Sequence, residues 1–215
     1  MRLYLSSFRV GSYPQRLLQL LGEGRRTALV PNAMDGAPEQ MRRDGLARDV
    51  GELEALGLDV TLVDVRTTNA VHQLAGYDLV WVRGGNVFAL RKAFADTGAD
   101  TILTGLLRGD ALVYGGYSAG PCILAPEIGF LQEVDDITAV KKPVTTGLGL
   151  LDRPFVPHVA SPGHPETDAC SEVSAELNRR GQDHWALSDG DVLVVEGDRT
   201  ALLRAVSRGS GQLEQ

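Results

Sequence analysis

Residues 113–121 read Val-Tyr-Gly-Gly-Tyr-Ser-Ala-Gly-Pro. Within them, Gly116 to Gly120 follow the G-x-S-x-G spacing of a nucleophile elbow, a serine on a sharp turn between a strand and a helix. That backbone is unfavourable, so its neighbours must be small, and Gly116 and Gly120 leave room for the helix to cross the strand. A helix starting near Ala119 aims its unpaired N–H groups and positive end at Ser118. Pro121 is tolerated in the first turn, and the Ala119 N–H is a natural donor to an oxyanion. The same small residues also serve an ordinary tight turn. Serine is a poor nucleophile unless activated, so the rest of the chain must supply a base, an acid and a second donor.

Four histidines are available: His72, His158, His164 and His184. His72 falls in a short helical stretch and His184 stands just before a strand, which suits incidental roles for both. His158 follows Pro157 at the end of a strand, and His164 lies in the loop Ser-Pro-Gly-His-Pro-Glu-Thr-Asp that reaches toward the same edge. An imidazole base needs an orienting carboxylate. Asp189, just after a strand, is one candidate, and Asp135 and Asp136, beyond the elbow helix, are others; each also fits a plain turn or loop. Gly84-Gly85-Asn86 forms a second glycine turn, able to bring the Gly85 N–H toward the serine as the other oxyanion donor. Its simpler role is a strand-to-helix turn with Asn86 as N-cap. His158, His164, Glu166 and Asp168 could also gather round a metal, but their spacing matches no metal motif.

These residues must be positioned by strands whose ends converge. Short apolar runs at Arg2–Leu5, Thr27–Pro31, Asp59–Val65, Asp78–Gly84 and Ala111–Gly116 alternate with helical patterns at 13–21, 38–56, 87–96 and 100–108. Near-continuous apolar strands are those covered on both faces, and strands separated by helices predict a parallel sheet of βαβ units. In such sheets ligands bind beyond the carboxyl ends of the strands. After residue 124 only short strand-like pieces remain until Pro154–His158, a helix over 166–180 and three closing strands. The fold class is α/β, a single domain over residues 1–206, with 207–215 expected as a flexible tail.

Composition narrows the function. The chain has 215 residues and a formal net charge of −7, with both signs interspersed. No basic stripe favours nucleic acid, and no apolar run is long enough for a transmembrane helix. The first residues read as a strand rather than a signal peptide. Cys122 and Cys170 are expected as buried free thiols in a reducing compartment. The cytoplasm is the expected location.

Together, VRGGNVFALRKAF, GGYSAGPCILAP, FVPHVASPGHPETDA and WALSDGDVLVVEGD resemble the peptidase E family of aspartyl-dipeptidase-like serine peptidases, relatives of cyanophycinases. The resemblance implies a three-layer sandwich around a mostly parallel sheet, like class I glutamine amidotransferases and of flavodoxin type. It makes Ser118 the nucleophile, His158 the base and Asp189 the orienting acid, and it sets Asp136 or its neighbour Asp135 near a further essential aspartate. It implies an oxyanion hole at Gly85 and Ala119. Asn86, Tyr117, Asp135, His164 and Asp168 are the expected substrate contacts, with Asp136 or Glu133 meeting the substrate's α-amino group. The expected partner is a short peptide, with no cofactor or metal and a possible homodimer. The family's arginine for an acidic substrate side chain has no counterpart in Pro-Glu-Thr-Asp-Ala-Cys-Ser-Glu-Val, so aspartyl specificity is not expected. The rivals are an esterase of α/β-hydrolase type using Asp152 with His158 or His184, an amidotransferase-like domain, which would want cysteine at the elbow, and a non-catalytic binding protein.

Overall fold

The apolar runs form strands and the segments between them form helices; the longest, Glu39–Ala55, is charged on most sides and buries only Gly45, Asp49 and Leu53. The computed structural model describes residues 1–206; the expected flexible tail lies outside the described residues. In chain order the elements are β1 (Arg2–Ser6), α1 (Pro14–Leu21), β2 (Arg26–Val30), α2 (Glu39–Ala55), β3 (Asp59–Leu62), α3 (Thr68–His72), β4 (Leu79–Val82), α4 (Val87–Thr97), α5 (Ala99–Arg108), β5 (Val113–Tyr117), α6 (Ala119–Cys122), β6 (Phe155–Val156), α7 (Thr167–Arg179), β7 (Trp185–Ala186), β8 (Val192–Glu196) and β9 (Arg199–Leu203).

Seven strands make one sheet in the order β3-β2-β4-β5-β1-β8-β9, and β6 pairs with β7 in a small parallel sheet. The first five strands of that order run parallel, β8 is antiparallel to β1, and β9 is antiparallel to β8. Side chains alternate across the sheet. Leu3, Leu5, Val80, Val82 and Tyr114 face a core built with α4 and α5. Tyr4, Leu29, Trp81, Val113 and Tyr117 face the opposite core, built with α1 and the end of α2. Among the described residues, no helix is long and apolar enough to cross a membrane.

The third strand is shorter than its apolar run. Its ladder with β2 ends at Leu62, because the buried Asn32 side chain takes over beyond it. Asn32 Oδ1 accepts from the Val65 N–H at 3.1 Å, and its Nδ2 donates to Asp64 at 2.8 Å. The amide bends the chain off the sheet edge while Val63 and Val65 stay buried.

Register brings the chemistry together. Val82 of β4 and Leu5 of β1 both lie opposite Gly116, and Ser6 lies opposite Tyr117. Residues 7, 84–85 and 118 therefore leave the sheet side by side. Because β8 runs antiparallel, with Val192 opposite Ser6, the loop entering it delivers Asp189 to the same edge.

Two elbow glycines are fixed by sterics. A Cβ on Gly116 or on Gly120 would lie 2.3 Å from the Val82 carbonyl oxygen. Gly116→Ala should lower stability by about 3 kcal/mol, since overpacking against a backbone atom cannot relax cheaply. Gly51→Ala, exposed in α2 with open space around it, should raise stability by roughly 0.5–1 kcal/mol. Urea unfolding midpoints check both.

Candidate active site

Ser118 links β5 to α6 with φ 53° and ψ −114°, a conformation L-residues rarely hold without support. Its N–H donates to the Ser7 carbonyl at 3.2 Å, with the Ser6 carbonyl at 3.4 Å. Gly84 packs directly against it: a Cβ there would sit 2.8 Å from the Ser118 Cβ. The Tyr114 hydroxyl donates to the Gly120 carbonyl at 2.7 Å and closes the turn from inside the core. Among the described residues, the Ser118 hydroxyl makes no hydrogen bond, which leaves it available to a reactant.

The helix expected behind the serine is a single turn. The field at Ser118 therefore comes from individual amides rather than from a long aligned helix. Ala119, the first residue of α6, has no acceptor for its N–H inside that turn. Gly85, at φ 140°, supports the facing turn; a Cβ there would meet the Ala33 carbonyl at 2.5 Å. Asn86 holds this turn in place. Its N–H donates to Ala33, its Oδ1 caps Ala89, and its Nδ2 donates to the Asp136 carbonyl at 2.9 Å.

His158 also has left-handed backbone, with φ 58°. Its N–H donates to Ser7 Oγ at 2.9 Å, and its Nδ1 lies 2.7 Å from Asp189 Oδ1. One ring face stacks on His164, with centroids 3.6 Å apart and planes 6° from parallel. Phe8 meets both rings edge-on, at 5.9 and 5.2 Å. With Nδ1 engaged by Asp189, Nε2 is the nitrogen left for proton transfer; it lies 3.9 Å from Glu166 Oε2. Burial pushes the Asp189 carboxyl up, but the bond and charge of His158 and the Ser7 hydroxyl outweigh it and hold the group below its ordinary value. Burial, then the charge of His158, lowers His164.

The two candidate aspartates beyond the elbow separate cleanly. Asp135 accepts the Val87 N–H at 2.8 Å at the start of α4. Burial, reinforced by Glu166 and opposed by the Val87 bond and His158, pushes it up to about 7. Asp136 is exposed and caps the next turn through the Thr138 N–H and hydroxyl, at 2.8 and 2.6 Å. Its carboxylate is thus committed away from His158.

One expected contact falls elsewhere. Strand alternation carries the Tyr117 ring to the α2 side, where its hydroxyl lies 3.1 Å from both Asp49 carboxylate oxygens. Tyr117 is therefore buried core, not a substrate contact. Asp168 and Glu133 are exposed. His72 is exposed, and His184 bonds to Ser174 Oγ at 2.7 Å. Asp152 pairs with Arg153 at 2.6 Å and accepts from the Trp185 indole.

His158, His164 and Glu166 hold ligand-type atoms within 4.8 Å of one another. The two imidazole planes are parallel, however, so their in-plane lone pairs run side by side rather than converging on one ion. Both cysteines are free and buried. Burial raises Cys122 well above the usual thiol range and Cys170 to about 12, so neither is a nucleophile at neutral pH.

One residue escaped the sequence reading. Ser7 is fully buried; besides the Ser118 and His158 amides, its hydroxyl faces Asp189 Oδ1 at 2.9 Å. The signal was a pair of serines, Ser6-Ser7, ending an otherwise apolar strand. Its place just beyond the carboxyl end of the first strand is where α/β sheets hold their ligand sites.

The sequence model of Peptidase family S51 matches residues 7–203. The chain belongs to peptidase family S51. It is 32% identical over 186 residues to "Peptidase E" of Streptomyces coelicolor, covering 85% of this chain and 72% of that protein. It is 34% identical over 149 residues to an uncharacterized peptidase of Listeria monocytogenes, covering 67% and 71%. The crystal structure of a putative peptidase E protein from L. monocytogenes superposes with a TM-score of 0.79 at 22% identity, covering 95% of this chain and 98% of that one. A peptidase from an acI-B1 actinobacterium follows at TM-score 0.64 and 14% identity, covering 96% and 91%. These two structures share the fold, a mixed α/β sandwich around a mostly parallel sheet. This S51 chain is thus a peptidase by family.

The raised Asp135 has a thermodynamic consequence. Between the unfolded carboxyl value near 4 and the folded value of about 7, the folded state keeps a proton that the unfolded state has lost. That contribution to stability falls as pH rises through this window and is flat above it. Asp135→Asn, which keeps an acceptor for Val87, should match wild type near pH 4 and gain relative stability up to about pH 7. Urea unfolding across that range checks it.

Proposed function

We propose that this protein is a serine peptidase that cleaves the first peptide bond of short peptides through an acyl-enzyme on Ser118. The observation that carries this is the His158–Asp189 pair at 2.7 Å, linked through Ser7 to a serine held at φ 53°. Strained backbone at both Ser118 and His158 supports a functional constraint rather than a plain turn. In this mechanism Ser118 Oγ attacks the carbonyl carbon while His158 Nε2 takes its proton. The oxyanion accepts from the Ala119 and Gly85 N–H groups. His158 then returns the proton to the leaving amine, and the C–N bond breaks to leave the acyl-serine ester. A water molecule, deprotonated by His158, hydrolyses the ester and restores Ser118. Asp189 holds the imidazole in one tautomer and stabilises the imidazolium.

Of the two neighbouring aspartates, Asp135 is the one electrostatically coupled to His158, and it takes the role the sequence left open between them. Glu166, joined by Asp135 as it ionises around pH 7, brings negative charge to the crevice, and His158 is followed by no arginine or lysine before Arg179. An acidic first side chain gains no partner there, whereas the free α-amino group of a short peptide does. The preferred substrates are thus dipeptides or short peptides with a neutral or basic first residue.

Ser118→Ala should abolish release of free amino acids from a dipeptide panel while leaving the circular dichroism spectrum unchanged. Asp189→Asn should lower kcat by about 10⁴-fold if it fixes the tautomer as in other triads, and Asp136→Ala should stay close to wild type. Aspartyl dipeptides emerging as the best substrates would overturn the specificity assignment.

A further inference from the structure

Ser7 uses every polar atom it has. Its N–H donates to the Asp191 carbonyl at 3.1 Å, and its carbonyl accepts the Ser118 N–H at 3.2 Å. Its hydroxyl oxygen accepts the His158 N–H, and its one proton faces two acceptors, Asp189 Oδ1 at 2.9 Å and the Leu187 carbonyl at 3.3 Å. The nearer, charged acceptor is the stronger one. That oxygen of Asp189 is the same one that meets His158 Nδ1. We propose that Ser7 is a positioning residue for catalysis: it fixes the backbone of both Ser118 and His158 and shares Asp189 Oδ1 with the imidazole, setting how strongly the carboxylate holds the base.

This rests on the serine-peptidase mechanism above, but the geometry makes a claim that can be read without turnover. A purely structural serine would hold the loops together and leave the Asp189–His158 bond unchanged. A hydroxyl that draws charge from Oδ1 weakens that bond, so removing it leaves the carboxylate a stronger acceptor for Nδ1. Four sets of groups face or couple to the imidazole: Asp189 from the loop before β8, His164 and Glu166 from the loop before α7, Phe8 after β1, and Asp135 from the segment between α6 and β6. Ser7→Ala alters only the first of these directly.

The test is Ser7→Ala beside wild type, with Ser7→Cys as the variant that keeps bulk but supplies a weaker donor. The expected result has three parts. The kcat falls by about 10- to 100-fold with KM little changed, as misorientation of a reacting group costs. The acid limb of the kcat/KM profile moves to higher pH, because a stronger carboxylate–imidazolium pair keeps the base protonated longer. The His158 Nδ1 proton, identified in the NMR spectrum by its loss in His158→Ala, moves downfield. Ser7→Cys should fall between the two and stands in if the alanine variant does not fold. Wild-type kcat, pH limb and Nδ1 resonance in a folded variant would overturn the proposal. A wild type that cleaves no peptide, or a fully active Ser118→Ala, would instead overturn the peptidase mechanism, and the Nδ1 resonance would still decide whether Ser7 tunes the pair.

Discussion

The candidate site depends on one buried residue at the end of the first strand. Ser7 ties the β5–α6 elbow, the loop after β6 and the loop before β8 to a single point, and each of those segments is otherwise irregular. Ser118 and His158 both carry positive φ, a cost of order 1–3 kcal/mol each for non-glycine residues. Such conformations persist only where surrounding bonds over-determine them. Here the amides of both residues end on Ser7, one on its carbonyl and one on its hydroxyl, so a rigid, fully buried strand end stabilises what the loops alone would not.

Around that point the sheet works as a template. Gly116 and Gly120 close on the Val82 carbonyl, Gly84 on the Ser118 Cβ, and Gly85 on the Ala33 carbonyl. None of these glycines can be replaced without moving main chain, so the elbow and the facing turn form one packed unit. A glycine in the middle of α2 obeys the same logic at a distance. Gly45 lets the buried Arg83 guanidinium pass, with Nη2 only 2.6 Å from where a Cβ would be. Arg83 Nε in turn lies 3.0 Å from Asp49, and Asp49 receives the Tyr117 hydroxyl. The back of the elbow therefore rests on a buried ion pair, which is costly to break because either partner alone would be left charged in the core.

Much of this was legible in the sequence for identifiable reasons. The parallel sheet followed from apolar strands alternating with helices, and the elbow from small residues around one serine. His158 and Asp189 stood out because they follow strands, where α/β ligand sites lie. The sequence was less informative where geometry turns on a single residue. One step along a strand decides which face a side chain takes, and Tyr117 falls on the α2 side by that step. Asp135 and Asp136 are adjacent and identical in type, yet one is buried against an amide and the other caps a turn in solvent. The third strand's early end depends on a side-chain amide reaching 33 residues along the chain, which no local pattern encodes. Ser7 is marked in the sequence only by its place at the end of an apolar strand; its role as an anchor depends on partners 111 to 182 residues away that only the fold supplies.

The antiparallel placement of β8 beside β1 carries a temporal consequence. The pocket wall that holds Asp189 is contributed by a segment about 180 residues after Ser7, and the pairing of β8 with the first strand docks it there. During synthesis, the strands bearing the serine emerge and can pair among themselves well before the acid exists. The candidate site is thus complete only once the closing strands slot against the first one. A chain cut short before β8 would therefore carry the elbow without Asp189 packed beside His158.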